Sequence, residues 1–256
     1  MERRQAQKIL DVRNLVRNYY TVNSDGETIT YQVLKGISFS VRHGEFIGIM
    51  GSSGCGKTTL LKTLGMMNSP DEGEVLYKGV PTTNFRGDVL AKVRRKELAF
   101  IFQHFYLMDS LTVEENIMMP LILNEDDTKR SKQTARRVAD QFGIGKLLDK
   151  KPYELSGGEK QRTAICRAMA ADPELILADE PTGNLDSNSS RVVIRTLSRI
   201  NQEMGKTILL VTHDPKVASY CDKIILLKDG KIIDILKKED EQNLFYRRIL
   251  KNMSRV

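Results

Sequence analysis

GEFIGIMGSSGCGKTT, residues 44–59, begins as a short apolar run and breaks into a glycine-rich turn ahead of Lys-Thr-Thr. GEFIGIM has the composition of a buried strand, and residues 58–67 continue as a helix. The turn between them fits the spacing G-x-x-x-x-G-K-[ST], and a strand–loop–helix setting is what that spacing needs in order to cradle phosphate. The glycines let the backbone close on phosphate oxygens, and the helix start adds N–H donors and a positive dipole end. Gly51, Ser52, Ser53, Gly54, Cys55, Gly56, Lys57, Thr58 and Thr59 are the candidate contacts. Lys57 is placed to reach the β- and γ-phosphates, and Thr58 to hold Mg²⁺. Cys55, beside Lys57 and a helix N-terminus, is expected to be a reactive thiol.

Far along the chain a second turn of similar character occurs. In LSGGEKQR, residues 155–162, Ser-Gly-Gly leads into another helix and offers bare backbone N–H groups at its start. A chain with two phosphate-binding turns needs a reason for the second.

The elements between and around these turns alternate. Residues 9–41 read as extended chain, with Asn14–Val22 and Glu27–Leu34 flanking a hairpin turn at Asp25-Gly26. Residues 74–102 read as short strands and turns ending in LAFIF, and about 112–171 as helical. LILA (175–178), TILLVT (207–212) and KIILL (223–227) read as further strands, with a helix through Val192–Ile200 and a hairpin at Asp229-Gly230. The expected architecture is α/β: a mostly parallel core sheet, an antiparallel β side-lobe from the front third, and an inserted helical lobe.

Several strand ends carry polar groups, where parallel sheets put ligand contacts. Asp179 and Glu180 follow LILA; Asp179 can face Mg²⁺ and Glu180 can polarise a water for in-line attack on the γ-phosphate. The alternative for this pair is helix capping at a strand-to-helix turn. His213, after TILLVT, can contact the γ-phosphate and orient the water, or be structural. Gln103, after LAFIF, can offer its amide oxygen to Mg²⁺ or to the attacking water. Tyr19 or Tyr20 can stack on an adenine ring or pack within the hairpin.

Composition bounds these readings. The 256 residues suffice for a full core, and the net charge of +7 is spread over residues 129–151 and both ends, including Arg247, Arg248, Lys251 and Arg255. No nucleic-acid-binding motif accompanies that charge, and a solvated helix face accounts for it. Cys55, Cys166 and Cys221 lack the spacing of a zinc site or a disulfide framework, and Cys166 lies on an apolar helix face. No apolar run approaches the roughly 18 residues needed to span a bilayer. MERRQAQKIL has no signal-peptide core, so the expectation is a cytosolic chain whose membrane role needs a partner that spans.

Taken together, these residues resemble the ATP-binding cassette (ABC) ATPase family over nearly the whole chain, about Ile9 to Leu236. The motifs occur in the family's order: an early aromatic (Tyr19), Walker A (GSSGCGKT), Q-loop (Gln103), signature (LSGGEKQR), Walker B (LILADE), D-loop (Asn184-Leu185-Asp186) and H-loop (His213). The resemblance implies a P-loop NTPase (RecA-like) core, with an ABC domain over 1–240, a helical subdomain at about 104–171 and a basic tail at 241–256. It implies ATP and Mg²⁺ as cofactors, and a head-to-tail pair with a second copy. Ser156, Gly157, Gly158 and Glu159 of the signature, with Asp186, would then contact ATP held by the other copy's P-loop. That pairing accounts for the second phosphate turn.

The resemblance also implies an integral-membrane permease, docked near HFYLM (104–108), and a place on the cytoplasmic face of the membrane; no nucleic acid is implied. The alternative for HFYLM is that Phe105 and Leu107 fill the lobe's own core. ADEPTGNLDS (178–187) is similar to the macrolide-export and lipoprotein-release group. VTHDPKVASYCDKIILLKDGKI and NLFYRRILK are similar to the bacitracin-resistance (Bce-type) ATPases. A regulatory ABC ATPase that signals through a membrane partner without moving substrate shares all these motifs. DNA-repair and chromosome relatives need coiled coils or zinc modules, which the sequence lacks, and a P-loop kinase has no use for LSGGEKQR.

Overall fold

The computed structural model describes residues 7–239 and 241–253. The first six residues of MERRQAQKIL, and Arg255, lie outside them. The chain divides into two compact units: residues up to Arg86 with those from Leu209 onward, and Gly87–Ile208.

In the first unit β1 (Lys8–Val22) and β2 (Thr28–Arg42) form a long antiparallel hairpin. Asn23 organises its turn, accepting at Oδ1 from the N–H groups of Asp25 (3.0 Å) and Glu27 (2.8 Å), while Gly26 takes φ 81°. The strands reach beyond the sequence-based bounds because β1 bulges near Asn14 (φ 48°), which interrupts the alternation without ending the pairing. β4 (Glu72–Tyr77) and β5 (Val80–Pro81) complete an antiparallel sheet of order β2-β1-β4-β5, the β side-lobe.

The same unit holds β3 (Phe46–Met50), buried at every residue, which runs into the glycine turn and then α1 (Lys57–Leu64). β8 (Thr207–Val211) straddles the division between the units, and with β9 (Lys223–Lys228) and β10 (Lys231–Lys237) gives the order β10-β9-β3-β8. β3 and β9 are parallel, from Ile47↔Lys223 to Met50↔Leu226. β9 and β10 turn at Asp229-Gly230, with φ 47° and 79°, the double positive φ of a type I′ hairpin. The core strands are apolar runs because they are covered on both faces, each Ile or Leu contributing about 2 kcal/mol by burial. Two helices follow β8: α7 (Pro215–Ala218) and α8 (Gln242–Met253), the latter burying Phe245 and Ile249.

The second unit opens with α2 (Gly87–Lys96), where the sequence reading expected strands and turns. Only Val93 of α2 is buried, and its apolar stripe is limited to Val89, Leu90 and Val93; Asp88 in its first turn and Arg94, Arg95 and Lys96 in its last complement the dipole. β6 (Leu98–Phe102) and β7 (Leu175–Asp179) pair in parallel. The helical stretch contains α3 (Val113–Ile122), α4 (Thr128–Gln141) and α5 (Gly157–Ala170); α6 (Ser187–Met204) follows β7. Thr112 and Glu115 form a capping box at α3, and fully buried Asn116 binds the N–H of Met108 and the carbonyls of Met108, Leu111 and Thr112.

All three cysteines are free and buried. Cys166 is fully buried on α5 beside Ala164 and Ile165, as its apolar helix face implies. The expectation of a reactive Cys55 is corrected. Its side chain turns inward from the loop, against Gly51, and burial pushes its thiol up, outweighing the lowering by Lys57. A neighbouring cation lowers a thiol's pKa and burial raises it, and here burial is the larger of the two. Peptide mapping should find Cys55 labelled by maleimide at neutral pH more slowly than free cysteine, since a raised pKa leaves less thiolate and the sulfur is buried. Labelling at the free-cysteine rate would place the sulfur at the surface instead.

Candidate functional site

In the first unit the glycine turn is closed by contact. A Cβ on Gly51 would collide with the Leu227 carbonyl oxygen and meet Cys55 Sγ at 2.5 Å. Lys57 is 7 % exposed, and its Nζ donates to the carbonyls of Gly51 (2.9 Å) and Ser52 (2.8 Å). The ammonium is thus held by the loop it closes, with one N–H still to give. α1 begins after Gly56 (φ 105°) with no side-chain cap, and a helix N-terminus after a glycine turn is a place where anions bind. Ser52, Ser53, Gly54 and Thr58 are exposed, and Thr59 is half-buried.

Beyond β8, Thr212 is buried and its Oγ1 accepts from the N–H of Asp214 (3.0 Å). Asp214 in turn caps α7 through the N–H of Lys216 (2.7 Å). Those two polar groups lock the turn, and His213 between them is presented to solvent. Tyr19 and Tyr20 separate clearly. Tyr19 is anchored, its hydroxyl accepting from Asn68 Nδ2 (3.4 Å) and its ring lying 5.5 Å from the Arg17 guanidinium, which pairs with Asp71. Tyr20 is 59 % exposed.

In the second unit β6 and β7 deliver Gln103 and Asp179-Glu180. Gln103 Nε2 donates to Asn184 Oδ1 (3.0 Å), and Asn184 Nδ2 donates to the Gln103 carbonyl (3.2 Å). Gly183 permits this approach, since a Cβ there would lie 2.8 Å from Gln103 Nε2. Gln103 Oε1 is left as an acceptor. Glu180 stands half-buried at φ 45°, a left-handed conformation that costs a non-glycine residue about 1 kcal/mol, in a turn closed by the Gly183 N–H on its carbonyl. It is no capping residue; the cap of the following helix is Asp186.

The Ser-Gly-Gly turn is a capping box. Ser156 Oγ accepts from the Glu159 N–H (3.4 Å), and Glu159 Oε2 accepts from Ser156 Oγ (2.7 Å) and Ser156 N–H (2.8 Å). These bonds hold the Glu159 carboxyl below the usual carboxylate range. The box consumes the Glu159 N–H and leaves those of Gly157 and Gly158 as donors at the start of α5. Asp186 Oδ1 accepts from the N–H groups of Asn188 (2.9 Å) and Ser189 (3.0 Å), and hydrogen bonds from Ser189 keep its carboxyl low. The two capped starts meet: a Cβ on Gly158 would lie 2.8 Å from Ser189 Oγ.

Sequence reasoning missed two supports. Gln161, fully buried, donates from Nε2 to the Phe102 carbonyl (3.3 Å), bracing the residue before Gln103. Arg167 donates to the carbonyls of Phe105 (2.8 Å) and Tyr106, where φ is 59° and 47°. A cation within the apolar stripe of α5 is the signal that could have found it.

Among the described residues no helix is long and apolar enough to cross a membrane. Residues 34–183 match the family described as ABC transporter. The chain is 44 % identical over 246 residues, 96 % of itself and 94 % of the relative, to the uncharacterized ABC transporter ATP-binding protein YvcR of Bacillus subtilis. It is 42 % identical, over 95 % of itself and 94 % of the relative, to the bacitracin export ATP-binding protein BceA of Halalkalibacterium halodurans. The dimeric post-hydrolysis structure of the ATP-binding cassette MJ0796, bound to ADP and Pi, superposes with a TM-score of 0.81. It is 36 % identical, covering 90 % of this chain and 99 % of that one; MJ0796 comes from Methanocaldococcus jannaschii. The fold is that of a P-loop NTPase, and the chain belongs to the ABC transporter family as an ATP-binding, ATP-hydrolysing component.

Proposed function

We propose that two copies of this chain pair head to tail on ATP and that the cycle of pairing and separation drives an integral-membrane permease from the cytoplasmic face. The observation that carries this reading is the presence of two helix starts prepared for an anion. α1 has no side-chain cap, and the capping box of α5 spares the N–H groups of Gly157 and Gly158. One γ-phosphate gripped by the P-loop of one copy and the Ser-Gly-Gly turn of the other uses both. The dimeric MJ0796 cassette supports the pairing.

Within a copy, Lys57 and the amides of 51–59 bind the phosphates, and Tyr19, already anchored by Asn68 and Arg17, stacks on the adenine. Thr58, Asp179 and Gln103 are hard oxygen donors of the kind Mg²⁺ takes, and Gln103 Oε1 is available because Nε2 is committed to Asn184. Mg²⁺ supplies charge neutralisation across the phosphate oxygens. Glu180 accepts a proton from the attacking water, and His213 orients that water against the γ-phosphate. Asp186 reaches the site from the partner copy. The domain unit spans 1–240, its helical part about 104–171. The similarity to the bacitracin exporter of Halalkalibacterium halodurans supports a Bce-type role, in resistance to or export of antimicrobial peptides.

Glu180→Gln should lower ATP turnover about a hundredfold or more while preserving ATP-driven dimerisation, because the amide keeps shape and loses basicity. Turnover near the parent rate would remove Glu180 from this role. Ser156→Arg and Lys57→Ala chains should each be inactive alone, yet equal mixing should restore about a quarter of normal turnover, since half the pairs are mixed and each has one intact site. Loss of ATP affinity by Ser156→Arg as a monomer is the result that would sink the two-copy account. Phe105 and Leu107 are half-buried, whereas Tyr106 and Met108 are 62 % and 46 % exposed, so the docking face is the latter pair. Tyr106→Asp with Met108→Asp should keep ATP affinity and leave the membrane fraction when the permease is co-expressed. Full membrane recovery would move the docking surface elsewhere.

A further inference from the structure

The second unit contains a pocket of about 280 Å³ that none of these roles uses. It lies where α2, α3 and α5 end and α4 begins. Lys96, Arg130 and Arg137 line it. All three are exposed, and among the described residues none has an ion pair. The contrast with their neighbours on α4 is direct: Lys132 and Arg136 are both spent on Glu114, at 3.4 and 2.9 Å.

Two further wall residues carry polar atoms with no partner. Ser131 is 1 % exposed and its Oγ makes no hydrogen bond; Asn124 Oδ1 is likewise buried and unsatisfied. A buried hydroxyl without a partner forfeits about 1–3 kcal/mol that a bound ligand can return. The Ser131 hydroxyl can donate to an anion, and Asn124 Oδ1 needs a donor. Two acidic groups, Asp126 and Asp172, also line the pocket, and Asp172 is paired with Lys206 at 2.7 Å.

We propose that this pocket binds a small organic phosphate that also carries hydroxyl or amino groups. Arg130 and Arg137 grip the phosphate oxygens, Lys96 adds charge, and Ser131 donates a hydrogen bond. The ligand's hydroxyl or amine donates to Asn124 Oδ1 and Asp126. The excess of cations selects for the anion, and the acidic groups select against a bare polyanion. This site is separate from the P-loop and does not depend on the proposed pairing.

The test uses pyrophosphate and ribose 5-phosphate as probes, titrated by calorimetry into the Lys57→Ala chain, so that the P-loop contributes little. Ribose 5-phosphate should bind one to one, and more tightly than pyrophosphate. Arg130→Ala with Arg137→Ala, added to Lys57→Ala, should weaken it about tenfold or more, the loss expected of two charge-assisted contacts. Ser131→Ala should weaken it about threefold, the loss of one hydrogen bond. ATP turnover of the otherwise unaltered chain should be unchanged by the arginine pair. Binding that is absent, or equal in the parent and the arginine variant, overturns the proposal, as does a preference for pyrophosphate. Circular dichroism of each variant checks folding, and Arg137→Lys, which keeps charge and loses the fork, should bind between parent and double variant.

Discussion

A buried ammonium needs acceptors, and Lys57 has found them in the loop that precedes it. Its bonds to the Gly51 and Ser52 carbonyls fix which way those peptide groups face. In a trans peptide the C=O and N–H point opposite ways, so the amides of Ser52 and Ser53 are turned away from the ammonium. A cradle of outward N–H groups is therefore the consequence of satisfying one cation. The rest of the first unit serves that geometry. β3 and β9 must be buried and close, because the loop packs its Gly51 on the Leu227 carbonyl, and Cys55 must turn inward to fill the space beside it.

The second unit solves its polar problems locally as well. Ser156 with Glu159, and Asp186 with Asn188 and Ser189, each close a helix start by side chain, and each settles a carboxylate in its ionised form. Gln103 and Asn184 satisfy one another, so a residue after β6 and a residue after β7 are tied by two hydrogen bonds. A carboxamide pair is suited to reporting, because a new ligand on Gln103 Oε1 perturbs the bond its nitrogen makes to Asn184. Glu180 sits between them in sequence at a strained backbone angle, and strain of this kind persists only where the surroundings over-determine it.

The legible part of the sequence was the part where one residue's chemistry dictates its neighbours' types. The P-loop, the two hairpins, the core strands and the order of the motifs all follow from spacing, because glycine, proline and charge are locally exclusive. Three things were not legible. α2 buries a single side chain, and its apolar pattern is only the three residues Val89, Leu90 and Val93, too short a run to separate a helix from strands and turns. The direction of the Cys55 side chain was also hidden, since the same loop sequence could turn it to the cation or to the core, and only the contact with Gly51 decides. The Asn184 link to Gln103 joins residues far apart in sequence, which no local pattern encodes.

Part of the net charge of +7 lies on α4, and its cations divide into two groups. At about 100° per residue, Lys132 and Arg136 share one side of the helix, while Arg130 and Arg137 share another, about 130° around it. The first side is neutralised by Glu114 from α3, which ties the two helices together. The second is left unpaired beside the wall that holds Ser131 and Asn124. Tying Lys132 and Arg136 to Glu114 leaves Arg130 and Arg137 at the pocket wall, the division on which the proposed phosphate site depends.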